Sequence, residues 1–219
     1  MKIVQNLVPA SKYSIKCPHP MTPEFIVVHN TANDASARNE VAYMISNNNQ
    51  VSFHYAVDDK EIVQGIPENR NAWHAGDGAN GQGNRKGLSI EICYSKSGGQ
   101  RFIEAEKLAA KFIAFKLNEK GWGIDRVKKH QDFSGKYCPH RTLDMGWQRF
   151  LDMVQTELNK LKGGVNVTQD KNQPSPWTKE AWEWAKKEGI VDGTNPQGAA
   201  TREQVVTMLY RYHKQVAQK

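Results

Sequence analysis

The run Phe25-Ile26-Val27-Val28 constrains the fold more than any other stretch of the chain. It is apolar at every position and rich in β-branched residues, with Pro23 before it and Asn30 to Asp34 after it. A strand with one solvated face alternates apolar and polar residues. A run without alternation must be covered on both sides, which calls for a sheet between layers of helices. The spacing predicts a strand that ends at His29.

The neighbouring segments supply those layers. In ARNEVAYMISNNN, Val41, Ala42, Met44 and Ile45 recur at helical spacing; Ser36 or Asn33 is the candidate N-cap, and the asparagines end the helix. VSFHYAVDDKEIVQGIP alternates around a polar DDK and predicts a β-hairpin. The glycine-rich NRNAWHAGDGANGQGNRKG is too long for a simple connector, a length usually associated with function or disorder. LSIEICYS predicts a strand with Leu88, Ile90 and Ile92 on one face and Ser89, Glu91 and Cys93 on the other. IEAEKLAAKFIAFKLNEKGWG reads as an amphipathic helix closed by Gly121, and TLDMGWQRFLDMVQTELNKLK as one long final helix. The expected fold class is α/β: a mixed central β-sheet flanked by helices, with a small helical C-terminal module.

Residues 1–162 form the expected main domain. GGVNVTQDKNQPSPW loses all periodicity, so 163–176 is read as a linker. Residues 177–219 carry two helical stripes, Trp177, Ala181, Trp184 and Ala185, then Val205, Val206, Met208, Leu209 and Tyr212. Thr201 is a natural N-cap, with Gln204 three residues on completing a capping box. So short a module buries little core alone and is expected to pack on the main domain, pair with a copy of itself, or order on a surface.

The net charge of +7 draws anionic partners without choosing among them. No basic stripe interleaved with aromatics appears, which argues against a nucleic-acid binder. No window is apolar enough to span a bilayer, so membrane insertion is not expected. MKIVQNLVPASKYSIKC lacks a secretory pattern; synthesis in the cytoplasm and release by another agent are expected. Three cysteines and no CxxC argue against a disulfide framework.

Of seven histidines, His19 and His213 sit in polar terminal contexts and are read as surface residues. His29 ends a buried strand, where α/β sheets bind ligands. His130 follows a short apolar segment, and Cys138 lies eight residues on. Two imidazoles and a thiolate suit Zn2+ with one position left open, as in a catalytic site. Their spacing, with neither HExxH nor CxxC, does not decide the matter alone. Without a metal, Glu91 is an ordinary strand carboxylate and Trp73 a pinned loop aromatic.

FIVVHNTAND, AWHAGDGANGQGNRKGLSIEICYS and VKKHQDFSGKYCPHRTL resemble the type-2 N-acetylmuramoyl-L-alanine amidase family, which shares its fold with the peptidoglycan-recognition proteins. The closest resemblance is to endolysins of Bacillus phages, and it runs roughly from Pro23 to Leu161. It implies a zinc enzyme that cleaves the amide between N-acetylmuramic acid and L-alanine of peptidoglycan. His29, His130 and Cys138 would be the metal ligands, Glu91 the acid–base residue and Lys136 the cation facing the scissile carbonyl. Trp73 and His74 resemble substrate-groove residues, and Asn30 is a candidate peptide contact. Some relatives place a tyrosine near the metal where this chain has Phe53, which leaves acid–base work to Glu91. His54 points away and is read as structural, and Cys17 and Cys93 as bystander thiols.

The tail resembles an S-layer homology repeat, which implies a secondary cell-wall polymer as a further partner. Only one repeat is present, where such modules usually work in threes. The competing class is a non-catalytic peptidoglycan-binding protein, but non-catalytic members lack the cysteine that Cys138 matches. A structural zinc site would need a fourth protein ligand, for which His74 is the only loop candidate.

Overall fold

The structure, a computed structural model, describes residues 1–162, 173–175, 178–196, 198 and 200–216. The chain divides into two compact units, Met1–Lys162 and Gly163–Lys219. Most of the stretch read as a linker, and Trp177 of the first tail stripe, lie outside the described residues.

The first unit is built on one six-stranded sheet. Its strands are β1 (Val4–Gln5), β2 (Phe25–Asn30), β3 (Tyr55–Val57), β4 (Ile62–Gln64), β5 (Gly87–Ile92) and β6 (Val127–Lys129). The spatial order is β1-β4-β3-β5-β2-β6, with only the β3–β4 hairpin antiparallel. The sheet is therefore mixed, as expected. Asp58 closes the hairpin: its Oδ1 accepts from the amides of Lys60 and Glu61 at 2.8 and 2.9 Å. β2 runs beside β5 and β6, and Ile26, Val27 and Val28 are all fully buried, as the unbroken apolar run requires.

The first unit's helices are α1 (Tyr13–Lys16), α2 (Ala37–Ser46), α3 (Gln82–Lys86), α4 (Gly99–Lys120), α5 (Gln131–Ser134), α6 (His140–Asp144) and α7 (Trp147–Leu161). Ser36, one of the two candidate caps, caps α2 by accepting from the Asn39 amide. α4 ends at Gly121 in the left-handed conformation (φ 67°), where a residue without Cβ carries no steric cost. α4 begins four residues before the periodic segment that signals it, because Gly98 and Gly99, both with positive φ, turn the chain into it.

The long final helix expected over 142–162 is in fact two. Gly146 at φ 103° stands between α6 and α7, a conformation that no helix continues through. α7 packs along α4, where the Arg149 guanidinium reaches the buried Glu106 carboxylate at 2.6 Å.

Sheet parity separates core from site. Tyr55, Ile90 and Val28 are register neighbours facing α4, where the Phe112 ring meets Tyr55 edge-on at 4.8 Å. Ala56, Glu91 and His29, one residue further along, face the other way.

The second unit contains α8 (Lys179–Lys187) and α9 (Arg202–Val216). The capping box expected at its second helix is present. The Thr201 amide donates to Gln204 Oε1 at 2.8 Å, and the Gln204 amide donates to Thr201 Oγ1 at 3.2 Å. Trp184 meets Tyr212 edge-on at 6.3 Å, while Val205, Val206 and Leu209 are exposed. No described helix is long and apolar enough to cross a membrane.

Candidate metal centre and groove

β2 delivers His29 to the carboxyl end of the sheet. β6, paired beside it, delivers His130 one residue past its own end, where the His130 amide donates to the Val28 carbonyl. The chain then turns through α5 and returns, and the Gln131 amide donates to the Cys138 carbonyl at 3.0 Å. That bond brings Cys138 under the two imidazoles.

His29 Nδ1 and His130 Nδ1 are 3.0 Å apart, and Cys138 Sγ is 3.9 Å from His29 Nδ1. The three donor atoms lie within 4.8 Å of one another, and all three residues are buried. Tetrahedral zinc with ordinary Zn–N and Zn–S bonds sets N···N near about 3.3 Å and N···S near about 3.6 Å. Two borderline nitrogens and one soft sulfur at these separations fit zinc with one position open. Among the described residues no fourth donor joins them. His74 is not that donor, because its Nδ1 points to His29 Nε2 at 3.0 Å, on the far side of the His29 ring.

The electrostatics are those of a site built around a cation. Burial, with His74, His130 and Lys136 nearby, pushes His29 well below the usual imidazole range. Burial and Lys136 lower His130, against the opposing backbone of Ala75 and the Asp77 carboxylate. Burial and the Glu91 carboxylate raise the Cys138 thiol to about 11. Neutral imidazoles are ready ligands, whereas so raised a thiol needs a metal ion to ionise it at neutral pH.

Glu91 stands opposite His29 on β5, its Oε1 4.0 Å from His29 Nδ1. Its side chain keeps 17% exposure, yet Oε2 is sealed from solvent without a partner. Burial first, then Glu40, raise its pKa to about 8, and Lys136 opposes them. Lys136 is exposed at the mouth of the groove, and no side-chain partner is found for it among the described residues.

The groove has a volume of about 910 Å3 and extends from the metal-ligand cluster to a wall formed by Tyr43, Asn47, Asn49 and Gln50. Two lysines fix that wall. Lys12 Nζ donates to the carbonyls of Ile45, Ser46 and Asn47, at the carboxyl end of α2. Lys16, fully buried, donates to Asn47 Oδ1, the Asn49 carbonyl and the Val51 carbonyl at 2.9, 2.6 and 3.1 Å. Glu40, buried in the same groove, leaves Oε1 unpartnered. Sequence reasoning passed over these three residues. Glu40 sits on the inner face of α2 within its apolar stripe, which is the one signal that could have found it.

Three residues expected at the substrate hold structure together. Asn30 Oδ1 accepts from the amides of Arg141 and Thr142 at 2.9 and 3.2 Å, which caps α6 just after Cys138. Trp73 is buried, and its indole N–H donates to the Ile15 carbonyl at 3.0 Å. His74, also buried, backs His29. All three still line the groove.

His54 binds Ser89 Oγ through Nδ1 and the Arg70 carbonyl through Nε2, the structural role expected of it. Phe53 lines the groove without a hydroxyl, and Tyr55 donates instead to Glu68 at 2.7 Å. All three cysteines are free.

The N-acetylmuramoyl-L-alanine amidase family matches residues 19–141, more than half of the chain. The chain is 62% identical over 167 residues to the N-acetylmuramoyl-L-alanine amidase CwlA of Bacillus subtilis (strain 168), covering 76% of this chain and 61% of that one. It is 59% identical over 166 residues to XlyB of the same organism, covering 75% of this chain and 51% of that protein. It thus spans between half and two thirds of the length of these relatives. Among solved structures it resembles PlyL, with a TM-score of 0.70 and 54% identity over 72% of this chain and 99% of that one. The catalytic domain of PlyG gives 0.69 and 52% identity, covering 77% of this chain and 98% of that one. The chain belongs to the N-acetylmuramoyl-L-alanine amidase family.

Proposed function

We propose that the chain is a zinc-dependent hydrolase of peptidoglycan that cleaves the amide between the lactyl group of N-acetylmuramic acid and L-alanine of the stem peptide. The observation that carries this reading is the convergence of His29, His130 and Cys138 beside Glu91 on the floor of a groove. His29 Nδ1, His130 Nδ1 and Cys138 Sγ would hold the ion. Zinc so held supplies Lewis acidity and brings the pKa of water toward neutrality.

Glu91 takes a proton from the attacking water at Oε1 and returns it to the leaving alanine nitrogen. A cation beside it lowers its carboxyl from the raised value and leaves it ionised, as a base must be. Lys136 donates to the carbonyl oxygen as negative charge builds there. Phe53 takes no part in proton transfer, having no group to exchange.

The test is digestion of purified walls. New L-alanine amino termini without new reducing sugar ends support the reading; reducing ends in their place would mean a glycosidase.

For the second unit we propose attachment to a secondary cell-wall polymer. Its support is the exposed Val205, Val206 and Leu209 on one helix. Removing residues after Lys162 should weaken pull-down by walls; unchanged binding sinks the idea.

A further inference from the structure

The AWHAG loop carries a histidine that neither the ligand cluster nor the acid–base pair uses. We propose that His74 is a positioning residue for the metal site: its Nδ1 accepts the Nε2 proton of His29 and so holds His29 in the tautomer that turns a lone pair toward the ion. This rests on the zinc reading above and assigns His74 a support role in place of contact with substrate.

A neutral imidazole has one N–H and one lone pair. His29 Nδ1 faces His130 Nδ1 and Cys138 Sγ, so a ligand lone pair belongs there and the proton belongs on Nε2. That Nε2 is 3.0 Å from His74 Nδ1, and the two rings stand perpendicular at 89° with centroids 5.0 Å apart. His74 must then present its own lone pair at Nδ1 and carry its proton on Nε2. Nε2 is buried, and the backbone of Gly83 and Gly87 beside the ring favours a proton on it. A buried N–H left unmatched is costly, so those backbone groups keep the proton on Nε2 and leave the Nδ1 lone pair for His29.

The surroundings supply the hold. The amides of His74 and Ala75 both donate to Asn84 Oδ1 at 2.8 Å. Asn84 Nδ2 in turn donates to the Gly78 carbonyl at 3.1 Å. The amides of Gly83 and Asn84 bind the Asp77 carboxylate at 2.6 and 3.2 Å. Gly83 has no room for a side chain, since a Cβ there would come within 2.4 Å of that of Ala75. The neighbouring Ala75 backbone favours the charged ring of His130, as a carbonyl accepting from that ring does. Two consecutive residues of one loop thus back both metal histidines. A substrate contact would instead require His74 to offer a polar atom to solvent, and the residue is only 9% exposed.

The test compares His74→Gln with His74→Met in the full chain. The two side chains are similar in length, and only glutamine can accept a hydrogen bond. Zinc affinity is measured by competition with a chromophoric chelator, with melting of the metal-free chains alongside. Loss of such a partner typically weakens metal binding by about 10- to 100-fold. We expect that loss in His74→Met, with His74→Gln nearer to wild type and the metal-free chains melting alike. Wild-type affinity in His74→Met overturns the proposal, as does equal loss in both variants. A wild-type chain that takes up no zinc fails the zinc reading itself, which is a different result.

Discussion

His29 and Glu91 are register partners on adjacent parallel strands, with Nδ1 and Oε1 4.0 Å apart. Their positions are set by backbone pairing at the carboxyl ends of β2 and β5, so a side-chain replacement at one leaves the other in place. Glu91→Gln should therefore keep bound zinc and the melting temperature while wall lysis falls by about 10²- to 10⁴-fold. Zinc content by atomic absorption and the clearing rate of wall suspensions read both outcomes. Full lytic activity in Glu91→Ala would remove Glu91 from the mechanism.

Burial and Glu91 raise the Cys138 thiol, and the opposing Lys136 and the backbone of Asn30 and His140 do not bring it down to neutral pH, so its ionisation calls for a cation. Chelation should abolish lysis, and added Zn2+ should restore it. At zinc about 100 times its dissociation constant, binding adds about 2.7 kcal/mol to stability, visible as a rise in melting temperature. Cys138→Ser should lose that rise.

Lys136 is exposed, and the fold does not depend on it. Lys136→Met should leave melting unchanged and reduce kcat by about 10²- to 10³-fold, the usual loss for one oxyanion donor. A fall in melting temperature of several degrees would show that the residue is structural.

Lys16 spends three donors on the groove wall and has no carboxylate partner among the described residues. Lys16→Met leaves the Asn49 and Val51 carbonyls without their donor, at a cost of about 1–3 kcal/mol. The freed asparagine wall should raise KM for wall fragments more than it lowers kcat. Steady-state kinetics separate the two, and an unchanged KM counts against a role for the wall in binding.

Glu68 accepts from Tyr55, Lys116 and Lys120. Burial opposes its charge, yet those partners hold its carboxyl near 2, below the ordinary 4.5. A carboxyl with a depressed folded-state pKa contributes stability above its unfolded value and loses it as pH falls. The Glu68→Gln deficit, on the order of 2 kcal/mol at pH 7 once screening is allowed for, should shrink from about pH 4.5 toward pH 2. Denaturant titrations at several pH values check this, and a deficit that grows on acidification contradicts it.

The buried strand, the hairpin, the glycine-closed helix and the capping box were legible because each rests on local chemistry. So were the positions of His29, His130 and Cys138, with their roles coming from the resemblance. The break at Gly146 was hidden, since the apolar spacing on either side suits one helix and only the φ of that glycine interrupts it. Asn30, Trp73 and His74 have side chains suited to substrate, but what they bind depends on Arg141, Ile15 and His29, up to 111 residues away. Lys12 and Lys16 were passed over because nothing local shows that backbone carbonyls from residues 45–51 fold over them.

The strand order has a kinetic consequence. β2 lies between β5 and β6, so the first ligand is in place only when two later strands have closed on either side of it. The last ligand emerges from the ribosome 109 residues after the first. A nascent or partly folded chain would therefore lack the proposed ion site, and competence for chemistry would arrive all at once, near the end of synthesis of the first unit.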